Sequence, residues 1–188
     1  MWKVVKSCGF TIFIVFILLS YLLFFGTAEV SGSSMFPTYK DNDFLILRKT
    51  TKVDYSDVIA VKSEALHKAL IKRVIGVADD HIVINKEGLF RNGQLVDEPY
   101  LTGDWYKQDL DIVIPKDEIF VMGDNRNAST DSRVIGCLNV DDIIGISVLD
   151  ITKYTGLTRN ALIKLTLFCW IVCFLLMFCK KFRSKNKD

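Results

Sequence analysis

The sequence predicts a mainly β domain held between two apolar helices that cross a membrane. Three observations carry this expectation. Residues 8–25 and 161–179 are apolar runs, each long enough to span a bilayer as a helix. Between them, short stretches rich in Ile, Val and Phe recur at close spacing, bounded by Asp, Gly, Asn and Lys. No amphipathic helical pattern three turns long occurs between residues 30 and 150.

The first run, "CGFTIFIVFILLSYLLFF", carries no charge and follows Lys3 and Lys6. The second, "ALIKLTLFCWIVCFLLMFC", holds only Lys164, close enough to one end to snorkel to the headgroups. Lys180, Lys181, Arg183, Lys185 and Lys187 follow it. Basic flanks stay in the cytoplasm, so both termini are expected there. The expected organisation is an anchor over 1–26, an extracytoplasmic domain over 27–158, and a second span with a basic tail over 159–188. "GTA" at 26–28 also fits a signal-peptide cleavage site after Ala28. The length of the apolar run favours an uncleaved anchor.

The whole chain of 188 residues has a formal charge of +2, but residues 27–158 hold 15 Lys and Arg against 21 Asp and Glu, a charge of −6. An acidic domain between basic tails argues against nucleic-acid binding. Of five cysteines, only Cys137 falls in the middle domain, so no disulfide is expected within it. Cys/His spacing suggests no metal site.

Strands are expected at 43–49, 57–62, 69–77, 81–85, 119–123 and 143–149. "FRNGQLV" (90–96) places Asn-Gly between apolar flanks, a strong hairpin signal. Residues 97–115 lack clear periodicity and read as a long surface loop. Strand spacing fits coiled sheets in a sandwich or small barrel.

One stretch raises a chemical question. "SGSSMFPT" (31–38) sets three serines just outside the first span. Its composition fits a turn, yet one hydroxyl could be a nucleophile if a base takes its proton. Of the two histidines, His81 follows "ADD" as a solvated turn position, and His67 has no evident acidic partner, so a Ser-His-Asp triad is poorly supported. Lys72 lies among apolar residues in "ALIKRVIGV". Burial penalises a lysine's charged form and lowers its pKa, which could yield a neutral amine base. Composition alone would equally allow a strand-edge charge.

Five stretches in order carry a resemblance: "GSSMFPT" (32–38), "SDVIAVK" (56–62), "IKRVIGV" (71–77), "NGQLVDEPYL" (92–101) and "MGDNRNASTDSRVIG" (122–136). Together they are similar to bacterial type I signal peptidases, the membrane-bound Ser/Lys proteases that remove signal peptides from exported proteins. The glycine at 32 resembles the Gram-positive branch. The resemblance implies a signal-peptidase-like fold of coiled sheets, Ser34 as nucleophile and Lys72 as general base. It implies that Ser129 orients the lysine, with Asp131 and Arg133 as a supporting pair. It further implies cleavage after small-x-small sequences, and Val30, Met35 and Ile71 are candidate walls of the pockets for those small residues. No metal or cofactor is implied. The expected partners are secretory preproteins, membrane lipid and the translocation machinery; the expected location is the plasma membrane, as a multi-pass protein with its catalytic domain outside. With glycine at 32, the Ser34 N–H is the expected oxyanion donor, and a second donor is not evident.

Two departures stand out. Ala78 and Asp79 replace the Pro-Gly that usually follows the lysine motif, and Ser56 replaces a usual glycine before Asp57. Two rivals remain at this level: a peptidase dedicated to pilin-like substrates, and an inactive membrane-held assembly factor. The intact Ser34, Lys72, Ser129 and Asp131 weigh against the second.

Overall fold

The computed structural model describes residues 23–105 and 107–156, with single positions at 20, 161 and 164. Both apolar runs therefore lie almost wholly outside the described residues. Among the described residues, no helix is long and apolar enough to cross a membrane.

Among the described residues, eleven strands form two antiparallel sheets. The larger has the order β1-β2-β11-β3-β4-β9-β10, and the smaller β7-β6-β5-β8. The larger sheet comprises β1 (Phe25–Glu29), β2 (Phe44–Arg48), β3 (Val58–Ser63), β4 (Lys68–Val77), β9 (Glu118–Met122), β10 (Leu138–Asn139) and β11 (Ile143–Asp150). The smaller contains β5 (His81–Ile84), β6 (Leu89–Arg91), β7 (Gln94–Leu95) and β8 (Leu110–Val113). Two short helices complete the described fold, α1 (Ser132–Ile135) and α2 (Ile151–Thr155).

The apolar runs expected to be strands all are. The Asn92-Gly93 pair turns β6 into β7, both residues at positive φ (53° and 76°), the conformation that a two-residue hairpin of this type demands. Three expectations need correction. The larger sheet ends at β1 and β10 and is therefore open, not a closed barrel. The segment 97–115 is not all loop: β8 pairs with β5 from His81↔Val113 to Ile84↔Leu110. β1 begins at Phe25, two residues before the expected domain boundary, and pairs with β2 through Ala28↔Leu45.

The core divides by face. Ile59, Val61, Leu70, Val74 and Val121 cluster on one face of the larger sheet. Val30, Leu45, Leu47 and Ala60 cluster on the other, with Ile71 packed against them. Ile75, Phe120 and Met122 meet Ile82, Ile84 and Leu89, which fastens the smaller sheet to the larger. β4 is the hinge of this arrangement. It pairs with β3 from Lys68 to Arg73, but with β9 only from Arg73 onward. Residues 68–72 thus keep one open edge.

Both departures from the motif pattern sit at left-handed backbone. Ser56 has φ 68° and Asp79 has φ 68°, the region where glycine is least costly. Asp tolerates that region better than most residues.

Candidate active site

The loop that carries Ser34 leaves β1 at Val30 and turns through Gly32 (φ 86°), where the backbone N–H donates to Asp41 Oδ1 at 2.7 Å. Met35, 1% exposed, anchors the loop in the core. Ser34 is half-buried beside it. Lys72 reaches it from β4: the amine donates to Ser34 Oγ at 2.7 Å and to the Ile71 carbonyl at 3.1 Å. The two residues, 38 positions apart in sequence, meet at hydrogen-bond distance.

Lys72 is only 3% exposed. Burial lowers its pKa to about 8; the charge of Lys68 adds to the lowering, while Asp131 and Asp124 oppose it. An amine with that value is neutral in a useful fraction of molecules near neutral pH. The pair fits proton abstraction from a hydroxyl.

The segment 123–133 forms the other wall. Asn125 N–H donates to the Ser34 carbonyl at 2.9 Å, and its side chain reaches the Ser33 carbonyl at 3.2 Å. Gly123 fills the closest approach. A Cβ there would stand 2.3 Å from Ser129 Oγ and 2.5 Å from the Ser34 carbonyl oxygen, so the two serines flank one glycine.

Ser129 Oγ is buried without a hydrogen-bond partner. It lies near enough to Asp131 to help lower that carboxyl's pKa. The amine's bonds go to Ser34 and Ile71, not to Ser129. Asp131 is fully buried. Its carboxylate accepts from Arg133 Nε (2.8 Å) and Nη2 (2.9 Å), and from Gly123 N–H (3.0 Å). Burial alone would raise its pKa, but the Arg133 guanidinium and the Gly123 N–H outweigh it and hold the group below its ordinary value.

Residues missed by the sequence reading brace this wall. Arg73, next to the lysine, grips Asp124 with two bonds (2.8 and 2.6 Å) and the Ser56 carbonyl with a third (2.7 Å). Asp124 also accepts from Thr38 Oγ1 on the loop that carries Ser34. Arg126 pairs with Glu98 and donates to the Gly123 carbonyl at 3.1 Å. The signal was present in "GDNRNASTDSR", which repeats Asp-x-Arg at 124–126 and 131–133. Buried arginines and aspartates must be paired, and here only Asp131 and Arg133 pair with each other, while Asp124 takes Arg73 and Arg126 takes Glu98.

A cleft of about 300 Å³ opens beside the two residues. Val30, Met35 and Ile71 line it, as do Ser31, Ser33 and Lys68. His67 stands exposed in the β3–β4 turn at φ 49°. His81 lies at the start of β5, bonded to Asp111 at 2.6 Å on an exposed face. Among the described residues no His/Cys/Asp/Glu group could hold a metal.

The family described as "Signal peptidase, peptidase S26" matches this chain over residues 1–151. The chain belongs to that family. It is a serine endopeptidase that removes signal peptides. Signal peptidase I U of Bacillus subtilis (strain 168) is 35% identical over 144 residues, 68% of this chain and 76% of the relative. Signal peptidase I P of Bacillus subtilis subsp. natto is 33% identical over 160 residues, 77% of this chain and 85% of the relative. A crystal structure of a signal peptidase I from Enterococcus faecalis V583 superposes with TM-score 0.48 at 27% identity, covering 52% of this chain and 97% of that one.

Proposed function

We propose that Ser34 is the nucleophile and neutral Lys72 the general base of this peptidase. The observation that carries the reading is the 2.7 Å contact between a half-buried hydroxyl and a buried amine whose pKa is lowered to about 8. When the amine is neutral the contact reverses, and the hydroxyl donates to the nitrogen lone pair. Ser34 Oγ attacks the scissile carbonyl carbon while its proton passes to Lys72. The resulting ammonium protonates the leaving amine as the C–N bond breaks, leaving an ester on Ser34. Water then attacks the ester, giving one proton to Lys72, which returns it to Ser34 Oγ as the acyl group departs. The Ser34 N–H faces the developing oxyanion and stabilises it.

Asp131 and Arg133 hold the wall that carries Gly123 against Ser34, and Ser129 positions the amine as it takes up charge. Val30, Met35 and Ile71 form shallow apolar walls suited to small side chains one and three residues before the cut. The substrates are exported preproteins, presented at the plasma membrane to a domain on its outer side. Contact with the translocation machinery would place the emerging cleavage site in reach. The test is cleavage of a model preprotein by purified full-length protein in detergent. Wild type should cut after a small-x-small sequence, and Ser34→Ala should not. Cleavage by a folded Ser34→Ala protein would refute the assignment.

A further inference from the structure

The cleft does not end at the apolar walls. It continues along the open edge of β4 to Lys68, which lines its far end and is exposed there. Lys68 and Lys72 share one strand, four residues apart, and β3 covers only one edge of that stretch. An unpaired strand edge beside a cleft accepts an extended peptide by main-chain hydrogen bonding. A strand rises about 3.3 Å per residue, so Lys68 sits roughly 13 Å from Lys72, the reach of about four substrate residues. With the residue before the cut held at Ser34 and its upstream neighbours against Val30 and Ile71, the peptide arrives opposite Lys68 about four residues further upstream. Lys68 also acts at the reaction centre, since its charge contributes to the lowered pKa of Lys72. Its field therefore extends along the cleft.

We propose that Lys68 forms an electrostatic subsite at the upstream end of the cleft, selecting for an acidic side chain four to six residues before the scissile bond and against a basic one. The proposal rests on the Ser34/Lys72 reading, because that reading fixes where the cut falls. Although residues 27–158 carry a net charge of −6, the cleft is lined by two lysines, Lys68 and Lys72. Glu29 also lines the cleft. Discrimination here adds to the small-residue rule without replacing it.

The experiment uses three peptides identical except for Glu, Gln or Lys five residues before the cut, with full-length enzyme in neutral detergent. For wild type, kcat/KM should fall in the order Glu, Gln, Lys, by about two- to fivefold per step, the scale of an exposed charge pair. Lys68→Gln should flatten the series and Lys68→Glu should invert it. Raising salt to several tenths molar should compress the wild-type ratio, because exposed charges are screened over a few ångströms there. Lys68 variants also shift the Lys72 pKa, but that shift affects all three peptides alike and cancels in the ratio. Equal rates in wild type, an order that survives Lys68→Glu, or a preference for Lys, which would assign the subsite to Glu29, each overturn the proposal. Binding of the same peptides to Ser34→Ala protein separates the two readings. Equal affinities overturn the subsite whatever the protein cleaves, whereas ranked affinities without wild-type cleavage support the subsite and sink the Ser34 assignment.

Discussion

If Lys72 is the general base proposed above, its pKa should govern both activity and stability, with effects of opposite sign at neutral pH. The amine is lowered from its ordinary 10.5 to about 8. At pH 7 about one molecule in ten then carries a neutral base, against roughly one in 3,000 for an unperturbed lysine. The logarithm of kcat/KM should rise with unit slope and level off near pH 8, since this parameter reports the free enzyme. The same shift costs stability. Below pH 8 both folded and unfolded chains bind the proton, and the folded state bears the whole penalty of a buried cation. Between pH 8 and 10.5 the folded state has released the proton while the unfolded state still holds it, so stability rises with pH across that window. The difference of about 2.5 pKa values corresponds to at most about 3 kcal/mol. Lys72→Met, inactive, should therefore be more stable than wild type at pH 7 by up to that amount, and the gap should close towards pH 10.5. Urea unfolding of both proteins in the same detergent at pH 7 and pH 10 measures it, and groups common to both cancel in the comparison. An activity midpoint near 10 would mean that Lys72 is not desolvated. A midpoint near 6.5 would transfer the role to a histidine, and either result refutes the reasoning.

Three further outcomes are expected. Gly123→Ala pushes a methyl between Ser129 Oγ and the Ser34 carbonyl, at 2.3 and 2.5 Å; a displacement of about 1 Å at the nucleophile should lower kcat roughly 10²-fold, and near-normal turnover would show that the wall yields freely. Ser129→Ala should lower kcat by about 10² with KM little changed, while Ser31→Ala and Ser33→Ala stay within about tenfold of wild type; a folded Ser129→Ala enzyme at full speed would remove Ser129 from the site. Protease added to intact protoplasts should digest the middle domain and spare tags at both termini, and an externally accessible C-terminal tag would contradict a two-span topology.

Strands with plain Ile/Val patterning were legible because burial on both faces leaves continuous apolar runs, as in "VIAV" of β3 and "RVIGV" of β4. β8 was not, since "LDIV" alternates for only four residues behind an irregular approach. β1 was not, since "FGTAE" overlaps the apolar run only at Phe25 and otherwise carries no strand-like alternation of Ile, Val or Phe. The apolar neighbours in "ALIKRVIGV" suggested burial of Lys72, but singling out Ser34 and Lys72 together rested on motif resemblance. The nearness of residues 38 apart is not written in local sequence. The unpartnered Ser129 hydroxyl could not have been foreseen, because hydrogen-bond satisfaction depends on the fold around it.

The paired aspartates explain how a lysine can be neutral in so charged an interior. Asp131 and Asp124 are both buried near Lys72, and each raises its pKa. Bare carboxylates at that depth would hold the ammonium in its charged form and leave no base. Arg133 and Arg73 prevent this by gripping one carboxylate each through two bonds. A bidentate guanidinium pair has little net charge at a distance, so the field at the amine is reduced and desolvation prevails. The Arg73–Asp124 pair ties the segment 123–133 to β4 and, through Thr38, to the loop that carries Ser34, while the Asp131–Arg133 pair braces the segment from within. Charge compensation and placement are thus one construction. Removing either arginine would expose a carboxylate to Lys72 and loosen the wall against Ser34, so the supply of neutral amine and the geometry would fail together.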